Sequence, residues 1–290
     1  MSNVEHYSLQ GRGGSRMGDI TLHDRLSRGR LMSQPIERFG IITGMIETAE
    51  NLAKDYGITR EQADAFAVKS HQNAAAAWQA GKFDAHLVTI DVPQRRGDPI
   101  RFDHDEGYRA DASMESLGKL RAIDLKRDPD AIVTAGNASQ QNDAAAACLV
   151  VAEDKLEELG LEPMLWFGGW AAAGCDPSRM GIGPVPAVER LFERRGYSWD
   201  DIDLVELNEA FAPQVLAVLK GWGWSEDDSR RDILNVNGSG ISLGHPIGAT
   251  GGRILADMAY EMQRREARFG LETMCIGGGQ GIAAVFERAA

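Results

Sequence analysis

After residue 160 the chain alternates short apolar runs with longer stretches of helical periodicity, and this alternation limits the possible folds more than any other feature. Residues 184–196 read as helix, 204–207 as strand, 209–220 as helix and 232–236 as strand. Residues 251–268 read as a further helix, and strands at 272–276 and 282–286 follow, joined by a glycine turn. Strands and helices of these lengths in alternation build a layered α/β architecture. The expected unit at residues 161–290 is a five-stranded mixed sheet with helices on both faces.

Residues 1–160 are less regular. Up to about Gly40, Arg12, Arg16, Arg25, Arg28 and Arg30 stand among glycines and polar residues, and a surface arm is expected. Two helices are expected between 46 and 82. Gly57 ends the first, and Thr59 with Gln62 matches a capping box that starts the second. A strand at 87–92 leads into a polar, turn-rich excursion that runs to Gly118. Residues 131–135 read as strand, and the alanine-rich run from Ala144 to Ala152 reads as a buried element with Cys148 in the core.

Composition narrows the function classes. The chain has 290 residues, of which 43% are hydrophobic and 26% charged, the balance of a folded domain. Its net charge of -12 argues against a general nucleic-acid partner. The longest apolar run, residues 144–152, is too short to span a bilayer, and the opening residues carry no leader pattern. A cytoplasmic protein is expected. The 3 cysteines are widely spaced and include no CxxC pair, so a disulfide framework is not expected. No His, Cys or carboxylate cluster has metal-ligand spacing, so no metal is expected.

Three late segments carry reactive side chains where strands end. Val205-Glu206-Leu207-Asn208 places an amide at a strand terminus, where it could equally cap the next helix. In residues 235–252, six glycines surround His245, which stands between Gly244 and Pro246. Imidazole is the natural general base near neutral pH. Cys275 ends an apolar strand and opens onto Gly277-Gly278-Gly279, whose backbone N–H groups could form an oxyanion pocket beside the sulfur. A cysteine with a distant histidine is a candidate thiol catalyst. Cys175 reads as a loop residue.

Together, Asn208-Glu209-Ala210-Phe211, Gly244-His245-Pro246 and Cys275-Ile276-Gly277-Gly278-Gly279-Gln280-Gly281 resemble the late motifs of the thiolase family. Thr134-Ala135-Gly136-Asn137-Ala138-Ser139 and Met180-Gly181-Ile182-Gly183-Pro184 match further family segments. The resemblance implies a layered αβαβα fold and an acyltransferase that makes or cleaves 3-oxoacyl-CoA in fatty acid metabolism. It needs no cofactor, because coenzyme A is substrate or product. It also implies roles. His245 would deprotonate an acyl-accepting thiol, and Cys275 would carry a proton to and from the α-carbon. Asn208 would hold a water at the enolate oxygen, and the Gly277 N–H would serve a second oxyanion hole. Ser139 and Phe211 would line the pantetheine channel and Met180 the acyl pocket. Arg109 and the early arginines would meet the phosphates of CoA.

The family's Cys-Gly-Ser-type nucleophile motif is not found in this sequence. A complete C-terminal half at 161–290 is therefore expected beside a loop domain and an incomplete N-terminal half at 1–160. From this follows the expectation of a chain inactive alone, joined by a missing N-terminal polypeptide or by further copies of itself in a homo-oligomer. A non-catalytic CoA-binding subunit of a split thiolase is the alternative. A ketosynthase-like enzyme would want a second histidine in place of Asn208 or Cys275.

Overall fold

Two helices with a locally built junction open the main described part of the chain. The structure, a computed structural model, describes Gly18, residues 35–39 and residues 44–289. The five arginines of the expected arm lie outside the described residues. Helix α1 spans Met45–Asp55 and α2 spans Arg60–Gln79. Between them Gly57 stands at φ 58°, a left-handed conformation that glycine adopts without penalty. Thr59 Oγ1 then accepts the Gln62 N–H at 3.2 Å, and Gln62 Oε1 accepts the Thr59 N–H at 2.9 Å. The capping box expected from the sequence is therefore present. The small buried side chains of Ala63 and Ala67 let α2 lie close to Ala212 and Ile241 from the C-terminal half.

The expected strand at 87–92 shortens to β1, Ile90–Val92, which pairs antiparallel with β2, Ile100–Phe102. Both strands are exposed along their length, as an excursion over the surface should be. Helix α3, Met114–Gly118, closes it.

Residues 131–152 depart from expectation twice. Residues 131–135 form no strand. The Glu50 carboxylate accepts the N–H groups of Ile132 and Val133, and Asn137 Oδ1 accepts that of Thr134. Side chains thus satisfy the backbone groups that a neighbouring strand would otherwise pair. The run from 144 to 152 is not buried. Leu149 is 84% and Val150 90% exposed, and Cys148 is exposed with them. Among the described residues no strand pairs with this run.

The C-terminal half is a four-stranded mixed sheet in the order β3-β6-β5-β4. Its strands are β3 Leu165–Gly174, β4 Leu204–Leu207, β5 Phe269–Ile276 and β6 Gln280–Arg288. Strand β4 runs parallel to β5, and β6 runs antiparallel to both β5 and β3. Periodicity does not reveal β3, because the register shifts between Phe167 and Gly169 and breaks the two-residue alternation. The expected fifth strand is reduced to a bridge between Val205 and Leu234. Asn235 explains the loss. At φ 45° it turns its amide to the β4 edge, donating to Leu207 O and accepting from Leu207 N at 2.9 Å each. A side chain thus takes hydrogen bonds that a fifth strand's backbone would make.

Helices cover both sheet faces. Helix α4, Pro184–Arg195, and α5, Ala212–Gly221, pack with Val205, Leu207 and Leu271 on one face. Gly196 at φ 75° ends α4. A short turn of helix, α6, spans Gly240–Leu243. Helix α7, Thr250–Arg265, covers the other face, where Met258 and Met262 meet Leu204.

Candidate active site

The site is built where β4 and β5 end. Asn208 is not the helix cap that its place in the sequence allows. It stays extended, its N–H bonded to Thr273 O at 3.1 Å, and α5 begins only at Ala212 after Phe211. Asn208 is wholly buried, and its Oδ1 has no hydrogen-bond partner among the described residues. A buried carbonyl left unpaired is costly, so the position is suited to receive a donor such as water.

The next residue, Glu209, ties the surrounding elements together. Its carboxylate accepts from Ser70 Oγ at 2.6 Å, Asn235 Nδ2 at 2.8 Å and the Ile241 N–H at 3.2 Å. Burial raises its pKa, and these donors act against that rise. The glycine-rich segment then brings backbone against this base. A Cβ on Gly240 would stand 2.5 Å from Glu209 O and 2.9 Å from Asn208 Oδ1, so only glycine lets α6 approach this closely.

His245 follows α6. Its Nδ1 lies 2.8 Å from Thr250 Oγ1, and its N–H donates to Gln140 O at 3.3 Å. Asn208 Nδ2 stands 3.4 Å from each ring nitrogen, a loose contact across the ring edge. Burial, reinforced by the Arg253 charge, pushes the imidazole pKa down to about 4. The ring is therefore a free base at neutral pH.

Cys275 stands buried near the end of β5 and packs with Met180, Ala210 and the half-buried Phe211. Ser139 joins this group, its N–H bonded to Ala210 O at 2.9 Å, while Ala138 bridges Phe211. Gly277 follows in the exposed turn at φ 61°. Asn208 and His245 thus meet directly. Cys275, Met180, Phe211 and Ser139 gather around Ala210, two residues further along the same segment. Arg109 does not join them. Its Nη1 donates to the carbonyls of Glu106, Gly107 and Tyr108, and its N–H to His71 Nδ1, so it braces its own loop. Cys175 is held as a thiol, pushed up to about 11 by burial and by Asp176.

The residue types and their placement suit proton transfer beside a developing oxyanion. The first half of the chain, residues 1–154, matches the thiolase N-terminal domain, and residues 161–288 match the thiolase C-terminal domain. The chain belongs to the thiolase family. Thiolases are acyltransferases, and the curated relatives carry enzyme names. The acetyl-CoA acetyltransferase of Chromobacterium violaceum is 48% identical over 289 residues, covering 99% of this chain and 70% of that protein. The beta-ketothiolase BktB of Cupriavidus necator is 45% identical over 288 residues, with the same two coverages. Among solved structures, the acetyl-CoA acetyltransferase of Bacillus anthracis matches with a TM-score of 0.86 and 40% identity, covering 98% of this chain and 68% of that one. Human mitochondrial 3-ketoacyl-CoA thiolase matches with a TM-score of 0.84 and 36% identity, covering 99% and 69%.

The N-terminal domain family matches residues 1–154, so the expectation of an incomplete N-terminal half is not supported. Nor do these matches support the expected missing polypeptide or the reading as an inactive or merely CoA-binding subunit. The chain spans about 70% of the length of the curated relatives.

Sequence reasoning missed three contributors. Thr250 holds the imidazole, Glu209 joins four segments, and Gln140 supplies the carbonyl for His245 N–H. Glu209 and Thr250 stood inside the quoted segments, but their partners lie far away in sequence.

Proposed function

We propose that the chain acts on acyl-CoA and 3-oxoacyl-CoA thioesters, joining or cleaving them by Claisen chemistry with coenzyme A as substrate or product. The observation that carries this reading is the unpaired, buried Oδ1 of Asn208 beside a free-base imidazole. A water accepted there and shared with His245 would hold the oxygen of a thioester enolate, where negative charge develops. In thiolysis His245 takes the proton of an attacking thiol. The bond between the α- and β-carbons breaks, its electron pair passes into the acetyl thioester enolate, and Cys275 returns a proton to the α-carbon. The acyl group stays on the attacking sulfur as a thioester; where that sulfur is a protein cysteine's, CoA takes the acyl group in a second step and its thiol proton goes to the released cysteine. The Gly277 N–H serves the second oxyanion hole, Ser139 and Phe211 the pantetheine channel, and Met180 the acyl pocket. Arg109 keeps a part in this reading only as an exposed cation that could meet the phosphates of CoA. A cytoplasmic location belongs to the same reading, supported by three widely spaced cysteines that include no CxxC pair.

The test incubates the purified chain with acetoacetyl-CoA and CoA and follows acetyl-CoA by chromatography. Mass spectrometry of the protein locates any acylated cysteine. Acetyl-CoA formation that is lost in His245→Ala and Cys275→Ala supports the reading. Absence of both turnover and acetyl-CoA binding overturns it.

A further inference from the structure

Behind the imidazole lies a group of charges that this reaction does not use. Strands β4 and β5 run parallel in a register that sets Glu206 abreast of Glu272. Both belong to the face covered by α7, as the flanking positions show. Leu204 packs on Met258 and Met262, and the absent Cβ of Gly270 makes room for the same two methionines. Side chains abreast on one sheet face stand about 5 Å apart. Glu206 is 1% exposed, and its Oε2 has no partner among the described residues. Glu272 reaches the first turn of α7, its Oε1 lying 3.6 Å from where a Cβ on Gly251 would sit.

One cation from that turn, Arg253, acts on both carboxyls and on His245. Its Nη1 donates to Asp257 at 2.8 Å, while Nε and Nη2 are buried without a partner among the described residues. His86 holds the other oxygen of Asp257 at 2.8 Å. Asp105 from the excursion and Glu209 from the end of β4 also lie in the field of Arg253. From β6, the residue paired with Glu272 is Ala284, which brings no charge. Several carboxyls therefore share one guanidinium, and carboxyls placed side by side in a buried setting cannot all ionise. Burial holds Glu206 well above the usual carboxylate range and pushes Glu272 up to about 8.

We propose that Glu272, abreast of Glu206 and facing Arg253, is a positioning residue for the His245 imidazole and acts through that guanidinium. With Glu272 protonated, the Arg253 charge, offset only in part by Asp257, bears on the ring and keeps it a free base. Once Glu272 ionises, its carboxylate draws the open side of Arg253 and offsets that charge, and the ring becomes more basic. The proposal rests on the reading of His245 as the proton acceptor.

The test is an NMR titration of the full chain labelled at histidine, with the His245 ring signal assigned by its loss in His245→Gln. The wild-type signal should show its own acid titration and a second inflection near pH 8, reporting Glu272. Glu272→Gln should remove the second inflection and keep the first. Glu206→Gln leaves Glu272 intact, and Glu206 is held neutral while Glu272 ionises, so the second inflection should persist there. An inflection that survives in Glu272→Gln, or its absence from the wild type, overturns the proposal. If Glu272→Gln fails to fold, loss of the inflection in Glu206→Gln, where Glu272 is intact, overturns it equally. The titration needs no turnover, so its failure is distinct from failure of the thiolysis assay. Where turnover is measurable, the pH profile of kcat/KM should lose the same alkaline inflection in Glu272→Gln.

Discussion

Asn208 is a small amide whose Oδ1 has no partner among the described residues, and that gives it leverage on the chemistry. Its side chain touches His245 loosely and leaves Oδ1 open in a buried setting. Removing the amide should remove a water site that matters only once the oxyanion forms. Asn208→Ala is therefore expected to lower kcat by about 10²–10³-fold, the cost of losing one oxyanion donor, with little change in KM. Steady-state thiolysis kinetics check this. His245 makes a second residue-scale prediction. Its pKa of about 4 lies below that of an unfolded histidine, so the unfolded chain binds the proton first as pH falls. The stability that the neutral ring contributes is present above the unfolded value and is lost as pH falls through it towards about 4. Denaturant unfolding of the wild type and of His245→Asn across that range should show a steeper acid loss in the wild type. Asn208, His245 and Cys275 were legible because each stands in a distinctive local motif. Thr250, Gln140 and Arg253 were not, since their parts depend on which segment the fold brings opposite them.

Helices and strands were legible in proportion to how far their stabilising contacts are local. The Thr59 capping box and the Gly57 stop act within a few residues, and both stand as expected. Strand β4 matches its expected bounds because every residue of it is buried. Where a side chain replaces a strand's hydrogen bonds, as Glu50 and Asn235 do, an apolar run reads as strand and folds as something else. Two substitutions test the packing. Leu271 is fully buried between β4 and β6, and Leu271→Ala should destabilise the chain by about 2–5 kcal/mol, read from denaturant midpoints. Gly240→Ala forces a Cβ against Glu209 O and Asn208 Oδ1, so it should lower thermal stability and disturb the His245 ring signal together. A ring signal unchanged in Gly240→Ala would show that α6 can shift without consequence for the site.

At the scale of the whole molecule, the sheet half is filled on both faces while residues 144–152 lie open. Leu149 and Val150 are more exposed than an apolar pair normally is, and the edge strand β3 shows Phe167 and Trp170 at 59% and 55%. Exposed apolar patches bind dyes and promote self-association. The double change Leu149→Ser with Val150→Ser should lower hydrophobic-dye fluorescence and light scattering at high concentration. Stability should move by no more than about 0.5 kcal/mol, because exposed side chains contribute little packing. An unchanged dye signal would place the sticky surface at β3 instead.

The sequence by itself determined the α/β class, the helix caps and the three late motifs that mark the family. These depend on local periodicity, on turn chemistry and on residues a few positions apart. Only the tertiary structure decided that Asn208 remains extended instead of capping a helix and that the fifth strand gives way to the Asn235 amide. It also decided that the alanine-rich run lies outside the core, and that Glu272 stands beside Glu206 under Arg253. Each of these outcomes turns on hydrogen bonds or charges between segments tens of residues apart. Burial strengthens those interactions, and residue order alone does not specify them.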